Sequence, residues 1–303
     1  MHRAPRLLLA FLLGSGVATV QPATRLMASS AESPEAQGQT AQKATLKVTS
    51  ASPADIPFPN AEPPAEQQLL SLANQARREV GAPPLMLDSG LSQAARVHAQ
   101  AMVDARELSH QFIGEPSLPQ RLAATTSLQL DQEGENVALD YDAEHGHEHL
   151  MLSAPHRANL LNPAYNVIGL GVVRSGDRLY IVQDFGHALP NYTATEVKDR
   201  IAAAVNSARR RAGQPELQRR DLLIADEAAC SMAQADKLGT LPVKKLAERF
   251  TVLSYNSLRP ETLPNRAAHA IGSRGLHAFS VGACYGRTDT YPTGVFWVVL
   301  SLE

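Results

Sequence analysis

The chain has 303 residues, long enough for about two domains of ~100–200 residues that each bury a core. With 28 Lys and Arg against 30 Asp and Glu, its formal net charge is -2. It therefore lacks the basic field that neutralising phosphates requires, and nucleic acid is not an expected partner.

His2, Arg3 and Arg6 precede an apolar run, Leu7 to Val20, that is interrupted by Gly14 and Gly16. This is the layout of a secretory signal peptide, expected over residues 1–28 with cleavage after Val20 or Ala28. A membrane anchor would need ~20 unbroken apolar residues, so no transmembrane helix is expected after cleavage. Residues 29–65 are rich in Ala, Ser, Pro, Gln, Glu and Thr, and read as a flexible linker because they cannot bury enough apolar surface to offset ordering.

Helical pattern begins at Glu66, where Leu69, Leu72, Ala73, Ala76 and Val80 form an apolar stripe that Gly81 stops. Asp88 or Ser89 caps a second helix with Leu91, Ala94, Ala95, His98, Ala101, Met102, Ala105 and Leu108 on one face. Asn166–Val173 and Arg178–Phe185 read as strands joined through Ser175-Gly176-Asp177.

The pattern then recurs. Asn74-Gln-Ala-Arg-Arg-Glu-Val-Gly-Ala-Pro-Pro-Leu85 matches Asn206-Ser-Ala-Arg-Arg-Arg-Ala-Gly-Gln-Pro-Glu-Leu217 at an offset of 132, with seven of twelve positions identical. Ser280–Tyr285 and Val295–Leu300 are the expected strands of this second unit. Cys230 and Cys284 are the only cysteines; in an oxidising compartment they form a bridge, or they remain two buried thiols.

Four segments of the first unit carry candidate chemistry: Leu108-Ser109-His110, Gly134-Glu135-Asn136, Ser153-Ala154-Pro155-His156-Arg157, and Gln183-Asp184-Phe185-Gly186 after a Gly169-x-Gly171 strand. Their order and spacing resemble the CAP superfamily, the SCP-like extracellular proteins that include cysteine-rich secretory, antigen 5 and pathogenesis-related proteins, here of the bacterial type. The resemblance implies an α+β fold, an α-β-α sandwich, over residues 66–190, and makes 191–303 a degenerate repeat without the cleft motifs. It also implies a cleft holding His110, His156 and Glu135, with Glu148 as a second acid and Glu144 as its alternative.

Two neutral imidazoles, His110 and His156, can hold Zn2+ or another divalent metal in a weak, open site, with carboxylates fixing their tautomers; equally, the same groups can serve only to hold the cleft together. The run His145-Gly146-His147-Glu148-His149 lacks the spacing that puts two ligands on one helical face, and reads as a solvated loop entering a helix.

The expected function is an exported binding protein, secreted or periplasmic, for a metal or a small-molecule, lipid or cell-surface partner. One alternative is a metal-assisted hydrolase of peptide or cell-envelope bonds with Glu135 as general base. The other is a non-catalytic interaction scaffold.

Overall fold

The structure is a computed structural model that describes residues 58–303. The expected signal peptide, and the linker as far as residue 57, lie outside the described residues.

The linker ends earlier than its composition implies. Helix α1 runs Pro63–Glu79, and the preceding Glu62 N–H donates to Val172 O at 2.9 Å. Pro63 and Pro64 occupy the first helical positions, where a missing N–H costs no intrahelical bond. The prolines that read as linker are therefore the start of the helix.

The first unit continues with β1 (Met86–Leu87), α2 (Ser89–Ala105), α3 (Leu118–Thr125), β2 (Leu130–Asp140), α4 (Ala143–Leu152), α5 (Ala154–Leu161), β3 (Val167–Ser175) and β4 (Arg178–Ala188). The strands form one sheet in the order β1-β3-β4-β2, with β1 parallel to β3 and the other pairs antiparallel. Ala95, Ala99 and Met102 of α2 cover one face, against Val137, Val173 and Val182. Leu69 and Ala73 of α1, Leu150 of α4 and Leu160 of α5 cover the other, against Ile168, Leu170 and Ile181.

The α2 face is packed to backbone contact. A Cβ on Gly169 would stand 2.2 Å from the Leu91 carbonyl carbon, and one on Gly171 the same distance from that of Ala95. The glycine pair exists for helix-on-strand packing. Asp88 caps α2 by accepting from Leu91 N–H at 2.8 Å. The helix ends at Arg106, whose φ of 55° turns the chain away, so Ala105 and Leu108 are exposed instead of lying on the buried stripe.

The second unit comprises α6 (Ala194–Arg211), β5 (Gln218–Arg219), α7 (Leu223–Ala235), α8 (Leu241–Ala247), β6 (Thr251–Ser257), α9 (Asn265–Ile271), β7 (Ala278–Gly286) and β8 (Val295–Leu302). Its sheet has the order β5-β7-β8-β6, with the same pattern of one parallel and two antiparallel pairings. Cys230 of α7 and Cys284 of β7 form a disulfide, tying that helix to the sheet.

The residues shared by the two matched segments do the same work in each. Asn74 accepts from Leu85 N–H at 2.7 Å, and Asn206 from Leu217 N–H at 3.0 Å. Arg77 is fully buried; its Nε donates to Pro83 O, Nη1 to Leu160 O and Asn162 O, and Nη2 to Tyr165 O, at 2.7–2.9 Å. Arg209 donates in the same way to the carbonyls of Pro215, Ile271 and Ser273. Each arginine gathers the end of the first helix and the close of a later one around a single side chain.

Candidate functional site

His110 sits on the segment between α2 and α3, and His98 of α2 holds that segment in place. Fully buried, His98 contacts Ser109 O through Nε2 at 2.8 Å and Glu115 Oε1 through Nδ1 at 2.7 Å, so one ring anchors both sides of the turn. Glu115 in turn accepts from Phe112 N–H at 2.9 Å.

The Gly-Glu-Asn segment of β2 then meets the turn. A Cβ on Gly134 would lie 2.4 Å from the Tyr165 hydroxyl, which donates to Glu133 O. Glu135 reaches His110 Nδ1 at 2.9 Å with one oxygen, and accepts from Arg121 Nη2 with the other. Asn136 donates to His156 O at 3.1 Å and to Gln183 Oε1, while Asn159 donates to Asn136 Oδ1 and to Glu135 O. Gly134 thus permits close approach, Glu135 orients His110, and Asn136 attaches α5.

These contacts bring the two histidines together. The His110 and His156 rings are 6.4 Å apart, centroid to centroid, and inclined at 45°. Because a carboxylate only accepts, His110 Nδ1 donates to Glu135, which leaves Nε2 without a protein hydrogen bond on a side chain that is 59% exposed. Burial, with His110 close by, pushes the His156 pKa below the ordinary histidine value and favours its neutral ring.

Beneath the rings lies a buried polar network in which Arg121, Glu115 and His98, which the motifs do not single out, join Glu135 and Asp184, which lie in two of them. Arg121 of α3 donates to Glu135 and to His110 O, and stands 3.6 Å from Glu115. Asp184 lies directly across the β2–β4 ladder from Glu135, fully buried, with neither oxygen in a hydrogen bond. Burial, reinforced by the Glu135 charge, raises its pKa well above the ordinary aspartate value and favours the neutral acid. In the sequence, His98 stands out only as one polar residue on an apolar helical stripe. Asp184, a carboxyl inside an otherwise buried strand, is the clearest signal of the network.

Glu148 does not join the cleft. Helix α4 turns Leu150 into the core on the far side of the sheet from α2, and Glu148, two positions away, lines an exposed groove with Leu72 and Glu79 of α1. Glu144 lines the same groove. The second acid near Glu135 is instead Asp184, together with Glu115.

The histidine run is helical, not a loop, because Asp142 caps α4 ahead of it. Its three rings diverge: His145 pairs with Asp142, His149 with Asp140 at 2.5 Å, and His147 is buried toward α1, where burial lowers its pKa. Among the described residues, no group of three or more His, Cys, Asp or Glu side chains is arranged to hold a metal ion.

In the second sheet the registered positions are chemically different. Where β3, β4 and β2 align Gly169, Asp184 and Glu135, the strands β7, β8 and β6 align Ser280, Ser301 and Val252. No carboxylate pair can form there. Trp297 instead fills a core with Met232 and Val299.

The profile of the Cysteine-rich secretory protein family (CAP) matches residues 70–185. The uncharacterized protein YkwD of Bacillus subtilis (strain 168) is 34% identical over 112 residues, which are 37% of this chain and 43% of that protein. The chain therefore spans less than half the length of this curated relative.

Among solved structures, an extracellular protein containing a SCP domain from Bacillus anthracis str. Ames is 28% identical, with 42% of this chain and 41% of that one covered at a TM-score of 0.38. A cysteine-rich secretory protein from Staphylococcus aureus is 21% identical, with 43% and 41% covered at a TM-score of 0.33. Residues 70–185 match the CAP family, and this part of the chain is a CAP domain of the bacterial, SCP-like type.

Proposed function

We propose that the chain is an exported CAP-type binding protein, secreted or periplasmic, whose first-unit cleft holds a divalent metal such as Zn2+, or the polar end of a small or lipidic ligand, between His110 and His156. The observation that carries this reading is the approach of two imidazoles above Glu135, which accepts from His110 Nδ1 and leaves Nε2 without a protein hydrogen bond. Two nitrogen donors without a third protein ligand suit a weak and open site, because catalytic zinc generally has three protein ligands.

A hydrolase is less well supported. Glu135, the candidate general base, is buried and accepts from both His110 and Arg121, which suits it to positioning those groups. In the same reading, the second unit is a degenerate copy of the first, retaining the Asn206 and Arg209 clamps but carrying Val252 and Ser301 where the cleft has its carboxyls.

Zinc titration by calorimetry tests this function. The wild-type chain should bind about one equivalent, and the His110→Ala/His156→Ala double substitution should lose that binding while keeping its circular-dichroism spectrum. Absence of wild-type binding would remove the metal from the proposal, and binding retained by the folded double variant would remove the cleft.

A further inference from the structure

The two sheets lie within one compact body, and a short stretch of the first unit is bonded throughout to the second. The consecutive residues from Leu128 to Asp131 lead from α3 into β2. Leu128 O accepts from Arg287 Nη2 at 3.1 Å, and Gln129 Nε2 donates to Leu258 O at 3.0 Å. Leu130 O accepts from Thr293 Oγ1 at 3.2 Å, and Asp131 Oδ2 from Arg259 Nη2 at 3.1 Å. Arg287 also donates through Nη1 to Ala123 O, 2.9 Å away in the last turn of α3.

That stretch lies between Arg121 of α3 and Glu135 of β2, the two partners that meet beneath His110. Helix α3 has only 8 residues, too few to persist as an isolated helix. Ala123 O is one of its terminal carbonyls, which no intrahelical N–H reaches, so a guanidinium there supplies a donor and sits favourably at the negative end of the helix. From within the first unit, Asp88 holds the same helix end by accepting from Thr126 Oγ1 at 3.0 Å. Arg287 is held in its turn. It follows β7, which the disulfide ties to α7, and Asp236 at the end of α7 accepts from Thr288 Oγ1 at 2.8 Å and from Thr290 N–H at 3.0 Å.

We propose that the second unit is a buttress for the first unit's cleft, and that Arg287 is a positioning residue for His110, acting through α3 and Arg121. Its functional meaning rests on the cleft reading given above. With Arg287 in place, α3 keeps Arg121 against Glu135 and His110 O, and Glu135 stays turned to accept from His110 Nδ1. The His110 ring then holds one tautomer, with its proton on Nδ1. A copy that lacks the cleft carboxyls serves the cleft by this route.

Nitrogen-15 NMR of the His110 ring in the full chain, at about pH 8 where an ordinary imidazole is neutral, tests the proposal. The wild-type ring should show the Nδ1-protonated tautomer. Arg287→Ala/Thr293→Val removes the bonds to Ala123, Leu128 and Leu130, and should turn the ring to a mixture of tautomers without changing the circular-dichroism spectrum. Zinc binding should weaken about three- to tenfold, less than the roughly 10–100-fold cost of losing a group bonded directly to a metal ligand. Arg287→Ala alone should give a smaller change in the same direction. Arg210→Ala, whose partner Glu216 lies in the second unit, should leave the ring as it is. A ring unmoved by both Arg287 variants, or moved as far by Arg210→Ala, would overturn the proposal. If the wild type binds no zinc, the metal leaves the proposed function and the ring alone decides the buttress.

Discussion

Arg77→Met should lower the stability of the protein by about 3–5 kcal/mol, the range expected when a buried, fully hydrogen-bonded charge is removed and its partners are left behind. Four carbonyls, those of Pro83, Leu160, Asn162 and Tyr165, lose their donor together. They lie in two segments far apart in sequence, and methionine offers no replacement. Arg77→Lys should recover only part of the loss, because one ammonium cannot span acceptors that the planar guanidinium reaches from three nitrogens. Urea unfolding followed by circular dichroism measures both. A cost below ~1 kcal/mol for Arg77→Met, comparable to a single ordinary hydrogen bond, would show that the arginine is not the clamp described here.

Asp184→Asn should make the protein more stable at neutral pH and flatten its stability profile. The direction follows from the raised folded-state pKa. Once the pH passes the ordinary aspartate value of 3.8, the unfolded chain releases this proton while the folded protein retains it. Stability is therefore full below that value and falls as pH rises toward the elevated folded-state pKa, at no more than about 1.4 kcal/mol per pH unit for one group. Asparagine has a similar shape and no proton to lose, so its contribution does not decline. Unfolding free energies from pH 4 to 8 should diverge between wild type and variant, with the variant increasingly ahead. Parallel curves would place an ionised aspartate in the core and contradict the assignment.

Arg77 and Asp184 also mark what local sequence can and cannot disclose. The helical stripe of α1, the cap at Asp88, the β3–β4 turn and the matched Asn-x-x-Arg segments all follow from periodicity or short spacing, and the structure contains each of them, except that Val80 falls past the end of α1 and is exposed. Motif order points to His110, Glu135 and His156, and they converge because Glu135 and Asn136 are adjacent on one strand, one reaching the His110 turn and the other the α5 backbone.

What local sequence hides is long-range. Arg121 lies in an unremarkable Leu-Pro-Gln-Arg-Leu helix, and its importance comes from Glu135 on a strand and Glu115 on a turn. The resemblance points to Glu148 on the helix before the His156 segment, but α4 turns it toward α1, where it lines a groove with Leu72 and Glu79. Composition makes Pro63 and Pro64 look like linker, whereas their position at a helix start decides their role.

The most direct measurement of the central claim is anomalous diffraction at the zinc absorption edge from crystals of the full chain equilibrated with zinc. A single principal peak between His110 Nε2 and the His156 ring, at about 2.0–2.1 Å from each ligating nitrogen, is the expected result. Zinc bound in the α1–α4 groove beside His147, or in the second unit, with none between His110 and His156, would contradict the assignment of function to this cleft.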